Sequence, residues 1–367
     1  MNRRILHLIT GLEIGGTEMM LLRTLPGMQR AFDNRVCCIK GRGPVGAKLR
    51  KAGVPVYYLD LKKLFDPDVL REFQGIVKSF RPDVLVTYLI HADLIGRILG
   101  RVFGIPKVVC SVRAKLIQPK YFLFTFIDGL TSFLVSSYHF NSEAVADMYR
   151  RYLRIPGKKI MVIPNGTVAD CCPMSSTDVR AKRRELGLPP DKKVIGCVAN
   201  FRKQKGHTYL IEGFREVLRE RDDVILLLVG DGKERGRIEG DIRQRGLSGH
   251  VLIVSDRDDI PEILAVMDVF VLPTLFEGMS NALIEAMAAG KAIVTSDIAE
   301  TREIIEDQKT GILVPTRNAE LIKAAIVRLL TGDGLSKTLG FNARQRAISD
   351  FSLDNTVSRM CSFLANV

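Results

Sequence analysis

Asp268–Ser296, DVFVLPTLFEGMSNALIEAMAAGKAIVTS, is the stretch whose reading decides the fold. It reads as strand, loop, helix, strand. Val269–Leu272 is a short β-branched apolar run, and Pro273–Met279 breaks it. Ser280 is a good N-cap, Asn281–Ala289 has helical spacing, Gly290 ends the helix, and Ala292–Thr295 is the next buried strand. Leu283, Ile284, Met287 and Ala288 share one face, as a crossover helix on a parallel sheet requires. At ~100° per residue, Glu285 points away from that face.

Glu277 in the loop and Glu285 in the second helical turn stand eight residues apart. Between them Gly278, Met279, Ser280 and Asn281 offer backbone N–H groups at a helix N-terminus, which favours an anion. A diphosphate there would leave one carboxylate on each side, Glu285 toward a ribose and Glu277 toward a sugar. A capped crossover helix with two solvated carboxylates has the same local pattern, and the stretch alone does not separate the two.

The run E-G-M-S-N-A-L-I-E, with D-V-F-V-L-P-T before it and G-I-L-V-P at 311–315, resembles the E-x7-E signature of retaining glycosyltransferase family 4. The resemblance implies the GT-B fold: two Rossmann-like doubly wound parallel-sheet α/β domains facing across a cleft. It divides the chain into an acceptor-side domain over 1–170, a linker over 171–190, a nucleotide-sugar domain over 191–349, and a C-terminal helix over 350–367 that returns to the first domain. A chain of 367 residues exceeds the size at which single cores stop growing, so two domains are expected on length as well.

Composition bounds the class. A hydrophobic content of 46% fits a folded α/β protein. No stretch has 18 uncharged apolar residues; the nearest, Tyr121–Ser137, contains Asp128 and Gly129. Met1–Thr10 is basic then apolar, but Gly11 ends it too early for a signal peptide. Seven cysteines, with no CxxC and no nearby histidine cluster, imply neither zinc nor a disulfide framework and suit a reducing cytoplasm. Residues 1–170 hold 26 Lys/Arg against 13 Asp/Glu, while the remainder holds 28 of each. This one-sided basicity suits an anionic acceptor or the inner face of a membrane, or else serves solubility alone; nucleic acid is disfavoured because no recognition motif accompanies it.

In the first half, the strand Arg4–Thr10 runs into Gly11-Leu-Glu-Ile-Gly15-Gly16-Thr17 and a helix from Glu18. This is not GxGxxG, and Lys40 stands where a dinucleotide fold would end its second strand with an acid, so an oxidoreductase is poorly supported. Family 4 instead carries a Gly-Gly followed by a small residue and Glu, so the resemblance assigns Gly15 and Gly16 to the donor diphosphate. His91 follows the strand Val84–Thr87 and therefore sits at the carboxyl edge of a sheet. Its segment H-A-D-L-I-G-R resembles the family segment with an active-site histidine beside the donor sugar. Arg113, just past the strand Lys107–Ser111, either meets an anionic acceptor or is solvated. Tyr121–Leu134 is a core helix or a membrane-surface helix. Pro164-Asn165-Gly166 resembles the family's crossing between domains.

In the second half, the loop Ala199-Asn-Phe-Arg202-Lys-Gln-Lys205-Gly206 follows the strand Val194–Val198. The family places an Arg shortly before a Lys-Gly here, both on the donor diphosphate. Lys205 matches; Asn200 occupies the usual Arg position, and Arg202 is the substitute. Asp256-Arg257-Asp258 has the spacing of a metal-binding D-x-D, but it precedes Ile260-Pro261 and reads as an acidic helix start.

The resulting expectation is a retaining sugar transferase with no cofactor and no metal, His91, Glu277 and Lys205 being catalytic. UDP is expected because uridine is the commonest base in the family, and the acceptor is a glycan or lipid-linked saccharide. Two rivals remain: a nucleotide-sugar epimerase or hydrolase of the same fold, distinguished by turnover without acceptor, and a non-catalytic nucleotide-sugar-binding partner.

Overall fold

A computed structural model of the chain describes residues 3–61, 66–113, 122–168 and 174–367, with the side chains of 122–125 and 333 outside the description. The chain divides into two compact units, Met1–Gly166 with Leu353–Val367, and Thr167–Ser352.

The first unit alternates strand and helix: β1 (Arg3–Ile9), α1 (Gly16–Met28), β2 (Phe32–Cys38), α2 (Pro44–Lys51), β3 (Val56–Tyr58), α3 (Pro67–Phe80), β4 (Val84–Tyr88), α4 (Ile90–Val102), β5 (Lys107–Val112), α5 (Phe122–Thr131), β6 (Ser137–Phe140), α6 (Glu143–Tyr152) and β7 (Ile160–Val162). All strand pairs are parallel, in the order β3-β2-β1-β4-β5-β6-β7. Alternate residues of β1 feed opposite faces: Ile5 and Ile9 join one core cluster, Leu6 and Leu8 the other. Asp66 caps α3, its carboxylate accepting from the Asp68 N–H at 3.1 Å, as the Asp-Pro-Asp start predicts.

The second unit contains α7 (Ser176–Glu185), β8 (Lys193–Val198), α8 (His207–Glu220), β9 (Val224–Val229), α9 (Arg235–Gln244), β10 (Val251–Val254), α10 (Ile260–Ala265), β11 (Val269–Leu272), α11 (Asn281–Ala288), β12 (Ala292–Ser296), α12 (Ala299–Arg302), β13 (Ile312–Val314), α13 (Ala319–Thr331) and α14 (Asp333–Asp350). Its sheet is also parallel, ordered β10-β9-β8-β11-β12-β13. A final helix, α15 (Leu353–Asn366), belongs to the first unit. Met360, Phe363 and Leu364 enter the core shared with α1, and the Arg3 guanidinium donates to the carbonyls of Leu364 and Ala365 at 2.7 and 2.8 Å.

Several expectations are corrected. The linker expected over 171–190 holds a helix, α7, capped by Ser175; residues 171–173 lie outside the described residues. The return expected from residue 350 begins at Leu353. Most instructive is α11. Its spacing turns Glu285 away from the core face, toward a ribose or solvent, yet every residue from Leu283 to Ala288 is buried, Glu285 included. Helix α14 packs against both α11 and β12; a Cβ added at Gly340 would stand 2.3 Å from the Gly290 carbonyl oxygen. Asp259 sits at the start of α10 but does not cap it. Its carboxylate instead pairs with Arg257 and with Lys182 at 2.8 Å, which hold its pKa well below the usual range.

Candidate active site

In a doubly wound sheet, ligands bind beyond the carboxyl ends of the strands where the strand order reverses. In the second unit that point lies between β8 and β11, since β9 and β10 extend one way and β12 and β13 the other. The loops leaving β8 and β11 are the two that carry Arg202, Lys205 and Glu277. They are laced together: the Gln204 carbonyl accepts from the Leu275 N–H at 2.7 Å and from the Thr274 hydroxyl at 3.0 Å. Gly206 turns with φ +70°, and a Cβ there would stand 2.0 Å from the Pro273 carbonyl oxygen. Only glycine permits both the turn and the approach.

This lacing brings Lys205 Nζ to 2.5 Å from Glu277 Oε1. Two residues 72 apart in sequence thus form a pair whose side chains are only 16% and 7% exposed. Arg202 and Asn200 are exposed on the same loop. Ser280 caps α11, its hydroxyl accepting from the Leu283 N–H at 3.4 Å. The helix start is less open than expected. Gly278, Met279 and Ser280 are buried, because Met279 packs into the domain core, and Asn281 is half-buried. The polar centre is therefore the buried Lys205–Glu277 pair, with the exposed Arg202 on the same loop.

The first unit repeats the geometry. Its strand order reverses between β1 and β4, and the loop and helix starts that follow those strands carry Gly15, Gly16 and His91. Thr10 joins them, its hydroxyl accepting from the Ala92 N–H at 3.2 Å. Leu89, immediately before α4, adopts φ +70°, ψ 149°, a backbone region that side chains rarely occupy. His91 is exposed in the first turn of α4, and Gly16 is exposed at the start of α1. Gly15 provides the N-cap of α1.

Beside them Arg113 is neither fully solvated nor loose. Its Nε donates to Ser111 Oγ at 3.2 Å and its Nη1 to Asn165 Oδ1 at 2.8 Å, and the guanidinium lies 5.7 Å from the Tyr88 ring centroid. Ser111 is in turn 2.9 Å from His139 Nδ1, whose other nitrogen faces the Ile163 carbonyl at 3.2 Å. A carbonyl only accepts, so Nε2 carries the proton and Nδ1 accepts from the serine. Burial, followed by the Arg113 charge, pushes the His139 pKa down to about 3.

Two further residues had no role in the sequence reading. His207, directly after Lys205-Gly206, is buried edge-on against Phe201, and its pKa is pushed down to about 4 by burial and then by Lys205. Its place one residue past the Lys-Gly is a signal that was available. Glu300 is buried just beyond β12, at the same edge of the sheet.

Comparison with known proteins covers both halves. Residues 15–166 match the model of the glycosyl transferase 4-like domain, and residues 178–346 that of the glycosyl transferases group 1. The chain is 25% identical over 374 residues to the Escherichia coli UDP-Gal:α-D-GlcNAc-diphosphoundecaprenol α-1,3-galactosyltransferase, covering 97% of this chain and 94% of that one. It is 26% identical over 306 residues to a capsular polysaccharide biosynthesis glycosyltransferase of Staphylococcus aureus, covering 80% and 78%. The Bacillus anthracis N-acetyl-α-D-glucosaminyl L-malate synthase, at 28% identity, is matched over about half its length. Among solved structures, Anabaena HepE in complex with UDP and glucose superposes with a TM-score of 0.91 over the whole of both chains at 19% identity, a likeness of fold.

Proposed function

The chain belongs to the glycosyltransferases of family 4 type, and we propose that it moves a sugar from a UDP-sugar to a lipid-linked or glycan acceptor, with retention at the anomeric carbon and without a metal ion. The observation that carries this reading is the Lys205–Glu277 pair at the switch point of the second unit. Breaking the bond between the anomeric carbon and the diphosphate leaves negative charge on a phosphate oxygen. An ammonium held in a largely water-free crevice stabilises that charge far better than one in bulk solvent. Glu277 fixes Lys205 by one of its three N–H groups and leaves the others to the phosphates. Arg202 adds charge from the exposed side of the loop, and Asn281 with the buried start of α11 supplies helix-dipole potential behind it.

Glu277 is assigned to the sugar hydroxyls and Glu285 to the ribose. His91, Gly15 and Gly16 are assigned to the donor from the first unit by the family resemblance. UDP as carrier is supported by the galactosyltransferase relative, whose donor is UDP-Gal, and that relative's acceptor is a GlcNAc linked to a lipid through a diphosphate. The surplus of positive charge in residues 1–170 suits such an acceptor and contact with the anionic inner face of a membrane. Among the described residues no helix is long and apolar enough to cross a membrane.

The test is transfer from a panel of UDP-sugars to lipid-linked and soluble saccharides, with and without EDTA, reading the product anomer by NMR. Transfer that survives chelation and keeps the donor's anomeric configuration supports the proposal. Donor turnover without any acceptor would reassign the protein as a hydrolase or epimerase.

A further inference from the structure

Helix α5 is built the wrong way round for a helix in water. Its one carboxylate, Asp128, is buried, while Phe126 and Leu130 on the same helix and Phe133 just beyond it are exposed. Asp128 faces inward because it clasps two neighbours. It accepts from Arg97 on α4 at 2.5 Å and from the Tyr149 hydroxyl on α6 at 2.7 Å. That clasp fixes the rotation of α5, since residues two positions either side of Asp128 lie on the opposite face at ~100° per residue. Neighbouring α4, held by the same ion pair, exposes Ile98 and Val102 one turn apart. The five apolar side chains are 46 to 74% exposed, although a folded domain ordinarily scatters such groups.

The exposed charge on the neighbouring segments is mostly positive. Among the described residues of 94–159, nine Lys/Arg stand against three Asp/Glu. Of the three acids, Asp128 is buried, and Glu143 and Asp147 are both paired with Arg150. Arg151, Tyr152, Arg154 and Lys158 are exposed at the end of α6, which Lys159 ties to the segment after α5 by donating to the Val135 carbonyl at 2.8 Å. Apolar side chains that enter an acyl boundary, with cations and a tyrosine at headgroup level, form the chemistry of a monotopic membrane surface.

We propose that the α4–α5 face of the first unit docks onto an anionic lipid bilayer, with Phe126, Leu130 and Phe133 inserted and the α6 cations on lipid phosphates. A second copy of this chain is disfavoured as the occupant, because each copy carries a formal charge of +13. The inference gives a location to the lipid-linked acceptor proposed above and rests on that reading for its purpose alone. Its test uses no sugar donor, so the two fail separately.

The experiment is co-sedimentation of the full chain with vesicles of phosphatidylglycerol and phosphatidylethanolamine, and with vesicles of phosphatidylcholine alone. The parent is expected to bind the anionic vesicles at least tenfold more than the zwitterionic ones and to lose binding in high salt. Phe126→Glu/Leu130→Glu/Phe133→Glu, and separately Phe133→Ser, a milder change at a position 74% exposed, should each reduce the bound fraction while keeping the parent's circular dichroism and melting temperature. Arg151→Glu/Lys158→Glu should remove the preference for anionic lipid. Absence of parent binding, or folded variants that bind like the parent, would overturn the proposal. So would sedimentation showing a parent dimer that Phe133→Ser dissociates, which would give the face to a second copy.

Discussion

The two units reach the same topological point by different means. In the second, the candidate groups are buried, oppositely charged and locked to each other by two laced loops. In the first, His91 and Gly16 are exposed, and the polar order lies behind them in a buried network: Thr87 donates to Asp93 at 2.6 Å, and Arg97 binds Asp128. One edge suits the small, highly charged donor proposed for it, whose charge must be met in a fixed place. The other is an accessible surface on a stiff polar backing, which suits a larger and more variable partner.

The strongest test of this contrast is the backing of the first unit. Replacing Arg97 by Leu strands the Asp128 carboxylate among α4, α5 and α6. It should cost roughly 3–5 kcal/mol of stability, read by denaturant unfolding. A loss below ~1 kcal/mol would show that the network is solvated and the contrast false. Next comes the pair in the second unit. Lys205→Ala should lower transfer roughly a hundredfold or more, about 3 kcal/mol in the barrier, with the protein folded. Glu277→Ala should do the same, and the double variant should lose much less than the sum, because the two act as one unit. Parent-like transfer in both single variants would dismiss the pair.

Gly206→Ala probes the lacing itself. The strained φ and the approach to Pro273 predict a loss of about 1–3 kcal/mol, together with weaker nucleotide binding by calorimetry. His91→Ala, at an exposed position, should leave the melting temperature within ~1 °C of the parent while reducing transfer. The smallest effect is acid titration. His7 and His207 are held down to about 4 and His139 to about 3, in each case chiefly by burial. The unfolded chain binds protons near pH 6.5 and the folded chain does not. Stability is therefore fully present above that pH and falls as pH drops toward 4. Between pH 7 and 6 each histidine should cost under ~1 kcal/mol in unfolding free energy, and a flat profile down to pH 5 would refute the neutral, buried assignments.

Much of this was legible because parallel α/β proteins write their edges plainly. The strand Val269–Leu272, the cap at Ser280 and the break at Gly290 follow from local chemistry, and the structure has each at the expected residue. The leading segment of the first unit ends at Gly166, where Pro164-Asn165-Gly166 resembles the family's crossing, rather than at the expected 170. What failed was whatever a distant element decided. Periodicity puts Glu285 opposite Leu283, but only tertiary packing decides that this side is covered as well. The same applies to α5, where spacing defines two faces and the partner of Asp128 decides which one is inside. The pairing of Lys205 with Glu277 was invisible for a related reason: each was read as a ligand to the same donor, and neither as the other's counter-ion.

The placement of α15 has a consequence for biosynthesis. The ribosome releases residues 353–366 only after the entire second unit has been made, yet Met360, Phe363 and Leu364 complete the core against α1. The earlier-made half therefore waits for the later-made one, with part of its interior uncovered during elongation. Its maturation is timed by translation of α15, and a nascent chain stalled before residue 353 should be held by chaperones through the apolar side chains of α1 that α15 packs against.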